Sequence, residues 1–203
     1  MATTSAALPH AEAPGFDNDR KARLGFLFYV LTDVTFVLFL FASYVWLRAY
    51  NTNNAWFPFK GMKLPDPTTT LVLMVMIVVS AICFYLAYLG ARGGNQLLLR
   101  LGLLVAFLLC VATLIGQIRF MGQQQFATGD GSFASIFILL SGYHVYHLAI
   151  GTFLGFALTV RAFRGFYSRE HHLGLVAVGF FWYWMALMPV LLWLIMLALP
   201  PQL

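Results

Sequence analysis

Apolar residues fall in five long blocks, at 24–47, 69–89, 97–117, 133–160 and 173–199, separated by stretches where charge, proline and glycine return. Each block is near or above the ~20 residues a helix needs to cross hydrocarbon. None alternates with a period of two, so a membrane barrel is excluded, and no internal repeat is visible. The pattern predicts an all-α fold: one domain, residues 21–203, built as a bundle of five transmembrane helices. The connections are 48–68 (with Pro58, Pro65 and Pro67), a tight turn at 90–95, then 118–132 and 161–172. Residues 1–20 are rich in Ala and Pro and lack an apolar core. They read as a disordered polar tail rather than a signal peptide, with His10 and Glu12 solvated.

Composition strengthens this reading. The chain is 61% hydrophobic and 9% charged, where a soluble domain carries about 25% charged residues. The net charge of +5 is small and forms no nucleic-acid-binding pattern; its use is topological. Arg20, Lys21, Arg23, Arg92, Arg100, Arg161, Arg164 and Arg169 fall on one side, and Arg48, Lys60, Lys63 and Arg119 on the other. By the excess of Lys and Arg on cytoplasmic loops, the N-terminus is expected inside and the C-terminus outside. Cys83 and Cys110 lie inside apolar blocks and read as small packing residues, with no disulfide framework to infer.

The candidate chemistry lies in Ser141-Gly142-Tyr143-His144-Val145-Tyr146-His147 and in Asp33, the one acidic residue in any apolar block. Ionisable groups in hydrocarbon mark function or an internal partner. On a helix, His144 and His147 share a side. Asp33 is nine residues into its block, roughly 14 Å deep, and His144 eleven residues into an antiparallel block, roughly 16 Å deep. The two depths meet near the middle of a ~30 Å core, so Asp33 and His144 are expected to pair, with His147 one turn nearer the inner side. Four uses are open for the three residues: a hydrogen-bonded interhelical pair, a proton relay, a metal site with Asp33 as third ligand, or haem ligation. Two histidines on one helix cannot sandwich a porphyrin, and metal sites want three or four ligands. The interhelical pair is therefore the simplest reading.

Gly151 and Gly155 form a GxxxG element that allows close backbone approach. Pro189 interrupts the last block and is expected to kink it. Trp182, Trp184 and Trp193 read as packing residues or interface anchors. Gln117, Arg119, Gln123, Gln124 and Gln125 close the third block at the outer side. Arg161, Arg164, His171 and His172 stand at the inner boundary, where contact with lipid headgroups is expected. No copper-binding Cys-x-x-x-Cys, phosphate-binding or dinucleotide-binding loop, or nucleophile elbow occurs.

These residues together resemble subunit III of the haem–copper terminal oxidases, over nearly the whole chain after the tail. Leu24-Gly25, followed by Asp33 and Phe36, looks like that family's opening Leu-Gly…Ser-Glu…Phe element. Ser141 to His147, followed by Gly151, looks like its Thr-Gly-Phe-His-Gly-Leu-His…Gly signature, the most specific of the matches. Gly116-Gln117 and His171-His172-Leu173-Gly174 also fit. An Asp in place of Glu, with five helices rather than seven, is closest to the bo-type quinol oxidase branch. The family's polar cluster in the last helix is replaced here by Val176, Tyr183 and Ala186.

The resemblance implies a subunit without a redox centre of its own, haem and copper lying in partner subunits. It implies packing against oxidase subunit I, with subunit II and a small subunit IV in the same complex, and phospholipid bound in a cleft between helices. It further implies stabilisation of subunit I, support of proton uptake during reduction of oxygen to water, and residence in the bacterial inner membrane. The competing readings are a stand-alone proton-conducting or transport protein using Asp33 and His144, a metalloenzyme using His144, His147 and Asp33, and a subunit associated with nitric oxide reductase.

Overall fold

The computed structural model describes residues 15–51, 56, 63–169 and 172–199. The tail residues 1–14, with His10 and Glu12, and also Pro58, Lys60 and His171, lie outside the described residues. Five helices follow one another: α1 (Gly15–Ala49), α2 (Pro67–Gly93), α3 (Gln96–Gly122), α4 (Ser132–Phe163) and α5 (Leu173–Ala198). All five are long and apolar enough to cross a membrane, and no strand occurs among the described residues. The helix α1 begins at Gly15, inside the stretch read from sequence as tail.

Local chemistry sets the helix ends. Asp66 caps α2, accepting from the Thr69 backbone N–H at 2.9 Å and from Thr68 N–H at 3.3 Å, with Pro67 following it. This is the preferred arrangement for the unsatisfied donors of a first turn. Gly94, at φ 75°, ends α2 in the left-handed conformation, and the Asn95 N–H reaches back to the Gly90 carbonyl at 2.8 Å. Asn95 then caps α3 through the Leu98 N–H at 3.1 Å. Two residues thus suffice to reverse the chain. The helices α2 and α3 pack so tightly that a Cβ on Gly90 would come within 2.7 Å of the Leu99 backbone nitrogen, and one on Gly102 within 2.9 Å of the Cys83 carbonyl.

The helix α5 touches α1, α2 and α4; α4 touches α1, α3 and α5; α1 rests on α4 and α5. Burial follows: in the apolar 18-residue stretch of each helix, 50% of α4 and 56% of α5 are inside, against 22–28% for the others. Two clusters fill the interior. One joins α2, α3, α4 and α5 around Phe84, Leu103, Leu148, Phe181, Trp182 and Met185. The other joins α1, α4 and α5 around Val37, Tyr44, Phe133, Phe137, Trp184 and Met188, and takes Trp56 from the first connection. Trp56 is 1% exposed, edge-on to both Tyr44 and Phe133, and its carbonyl accepts the Phe133 N–H at 3.3 Å.

Candidate functional site

Three helices meet at one polar point inside the bundle. Asp33 of α1 is 8% exposed and His147 of α4 is fully buried. His147 Nε2 stands 3.0 Å from Asp33 Oδ2. Tyr143, one turn earlier on α4, donates its hydroxyl to Asp33 Oδ1, and the Trp184 indole N–H of α5 donates to Asp33 Oδ2. The His147 ring stacks on Phe181 of α5 at 5.7 Å. One carboxyl group therefore ties α1 to both α4 and α5.

The hydrogen inventory of this cluster is closed. His147 Nδ1 lies 2.8 Å from the Tyr143 backbone carbonyl oxygen. A carbonyl only accepts, so Nδ1 carries a hydrogen, and a neutral imidazole then has none on Nε2. The contact with Asp33 needs one further proton, held between Oδ2 and Nε2. Whether that proton sits on the carboxyl or on the imidazole, the pair together is neutral. Neutrality and full hydrogen bonding let two ionisable groups occupy a membrane interior where either alone would be costly.

The partner differs from the one expected by depth. Asp33 pairs with His147, and His144 does not join it. Helical side chains lean towards the N-terminus of their own helix, so the residue that reaches a given level lies C-terminal to it. His147 and Tyr143, four apart, share the face towards α1, whereas His144 is rotated towards α5. There its ring lies against the backbone carbonyl of Met185. That carbonyl stands four residues before Pro189, which has no N–H to donate to it. Among the described residues no group of three His, Cys, Asp or Glu side chains converges; the metalloenzyme reading needed Asp33, His144 and His147 at one point.

Gly151 and Gly155 face α5, but what fills the notch is side chains rather than backbone. A Cβ on Gly151 would fall 2.7 Å from Met185 Sδ, and one on Gly155 2.7 Å from Trp182 Cη2. Trp182 is itself held, its indole N–H donating to Ser80 Oγ at 3.1 Å while the Ser80 hydroxyl donates to the Ala106 carbonyl at 2.7 Å. Arg161 lies over the Phe166 and Tyr167 rings at 5.8 and 5.7 Å. Arg164 is exposed beyond the α4 terminus, and His172 precedes α5 beside the Tyr88 ring at 6.0 Å. These share one end of the bundle with the α2–α3 turn, where Arg169 donates to the Gly93 carbonyl at 2.6 Å.

Tyr143 and Trp184 are the two partners of Asp33 to which the sequence reading assigned no such role: Tyr143 stood unassigned within the Ser141–His147 stretch, and Trp184 read as a packing residue or interface anchor. Depth in the membrane already points to Trp184: it lies eleven residues into its block, roughly 16 Å deep by helical rise, level with Asp33.

Residues 15–199 match the family model of cytochrome c oxidase subunit III, a segment that contains the whole Asp33 cluster. Relatives include cytochrome c oxidase subunit 3 of Marchantia polymorpha, 27% identical over 165 residues, with 79% of this chain and 62% of the relative covered. That of Arabidopsis thaliana is 26% identical, covering 80% and 62%, and that of Rattus norvegicus 23%, covering 80% and 62%. The chain therefore spans about three-fifths of the length of these relatives. With its five apolar helices and a match running from the start of α1 to the end of α5, the chain belongs to the cytochrome c oxidase subunit III family.

Proposed function

We propose that this chain serves as the third subunit of a respiratory haem–copper oxidase, packing against oxidase subunit I and supporting reduction of oxygen to water by centres that subunits I and II hold. The observation that carries this reading is the family match over residues 15–199. The Asp33 cluster supports a structural part in it: a neutral, fully bonded knot fixes α1 against α4 and α5 and keeps a single proton in place. Support of proton uptake by the complex is part of the proposal, with this chain setting the shape of the neighbouring subunit. The basic residues at the α2–α3 turn and the α4–α5 connection favour an orientation with that end facing the cytoplasm of a bacterial inner membrane.

Phospholipid belongs to the same reading. An open apolar cleft of about 480 Å³ lies between α1 and α4–α5, lined by Gly25, Phe26, Tyr29, Ile150, Leu154 and Phe181. It suits an acyl chain, and Arg161 and Arg164 stand about 10–15 Å further along α4 by helical rise, within reach of a headgroup. The electron donor is either cytochrome c, as in the relatives' names, or quinol. The quinol branch rests on Asp33 in the position where the resemblance expects Glu and on the five-helix form. Oxygen uptake by the purified complex with each donor separates the two.

The experiment is removal of the chain from its host. Membranes lacking it are expected to lose oxidase activity progressively during turnover, and re-expression restores it. Unchanged turnover stability, with loss of nitric oxide reduction instead, moves the chain to the nitric oxide reductase alternative. Proton flux through liposomes containing this chain alone, lost in Asp33→Asn, replaces the proposal with a stand-alone conductor.

A further inference from the structure

A second polar feature, separate from the Asp33 knot, lies where His144 points. His144 is 7% exposed, and its Nε2 is buried with no hydrogen-bond partner among the described residues. The ring lines a partly open cavity of about 40 Å³ between α1, α2, α3, α4 and α5. Much of the wall is apolar, including Val37, Leu73, Phe137 and Leu192, but Thr70, Gln117 and Ser141 line it too. Purely apolar cavities stay dry; a polar one holds water when each molecule has ~10–15 Å³ and two to four partners. Here there is room for about three molecules.

From these features we infer that the cavity is an internal hydration site, holding a small cluster of ordered water bonded to His144 Nε2 and bridged to Gln117 and Ser141. A buried imidazole nitrogen left unbonded costs on the scale of a lost hydrogen bond, and water is the ligand small enough to restore it. Pro189 explains why the site is here. By withholding an N–H from the Met185 carbonyl it leaves an acceptor on α5 that the His144 ring faces. The imidazole thus bridges two needs at one helix irregularity, the freed carbonyl on one side and the water on the other. Thr70 lies in the first turn of α2 and Gln117 near the end of α3, so the site opens towards that end of the bundle, away from the Arg161 end.

Radiolytic hydroxyl-radical footprinting in ¹⁸O-labelled water tests this on the intact complex in lipid nanodiscs, since buried residues are labelled where ordered water touches them. Met188 lines the cavity and is 5% exposed. Met185, fully buried and packed at Gly151, is the internal reference. Met188 is expected to gain ¹⁸O severalfold faster than Met185. His144→Phe should reduce that ratio towards one, while His144→Gln, which keeps a polar atom in the cavity, retains most of it. Equal labelling of Met188 and Met185 in the unaltered protein overturns the inference, and so does a ratio that His144→Phe leaves unchanged. If His144→Phe does not assemble, the ratio in the unaltered complex and in His144→Gln decides.

Discussion

Replacing Asp33 by Ala removes the one carboxyl group on which three hydrogen bonds converge: those donated by the Tyr143 hydroxyl and the Trp184 indole, and the one that shares a proton with the His147 imidazole. Hydrogen bonds between membrane helices are worth about 0.6 kcal/mol on average, and a typical buried bond up to about 1.5 kcal/mol. Three lost together therefore predict about 2–4 kcal/mol of destabilisation. The measurement is equilibrium unfolding in mixed micelles by titration with a denaturing detergent, followed by Trp fluorescence. A double-mutant cycle sharpens it. Asp33→Ala and His147→Leu should couple by 1 kcal/mol or more, because each removes the other's partner. Asp33→Ala and His144→Leu should be additive to within ~0.5 kcal/mol, as expected of residues sharing no partner. Coupling of Asp33 to His144 with additivity to His147 would refute the geometry and restore the pairing expected from depth alone.

Three further outcomes follow from the packing and capping. Gly155→Ala should destabilise by about 1–3 kcal/mol, because Trp182 is stacked on Phe84 at 5.0 Å and bonded to Ser80; Gly151→Ala should cost less, since flexible Met185 can move, and thermal melts of the two variants compare them. Ser80→Ala should cost about 1–3 kcal/mol, as the buried Trp182 N–H loses its acceptor, and the Ser80→Ala protein should show a shifted Trp emission. The Asp66 carboxyl is held below the ordinary carboxylate range by the Thr69 hydroxyl and backbone N–H. Its capping contribution is therefore complete above the ordinary carboxylate range and is lost as pH falls through the lowered value, so hydrogen exchange at Thr68 to Thr70 should quicken there, and Asp66→Asn should abolish that pH dependence.

Five helices were legible because lipid leaves a long apolar run few other structures to adopt. Their ends were less so, since polarity marks the membrane boundary and not the last hydrogen bond. The helix α2 starts at Pro67 because Asp66 caps it, and α1 reaches back to Gly15 through residues too polar for the apolar block. At the site, depth located Asp33 and came within one turn of its partner on α4, then chose the wrong histidine. Facing depends on helix rotation and side-chain lean, which a count of residues from the boundary does not contain. Trp184 was read as packing, although an indole N–H at that depth needs an acceptor. Trp56 carried no periodic signal, because it is buried from a position outside the helices rather than on a helix face.

The most direct measurement of the central claim is the absorption spectrum of the assembly that copurifies with an affinity-tagged form of this chain from its host membrane. The account predicts stoichiometric haem, a subunit I polypeptide in the same complex and oxygen reduction by it. A tagged chain that emerges from mild detergent as a homogeneous, folded protein with no haem-bearing partner would contradict it.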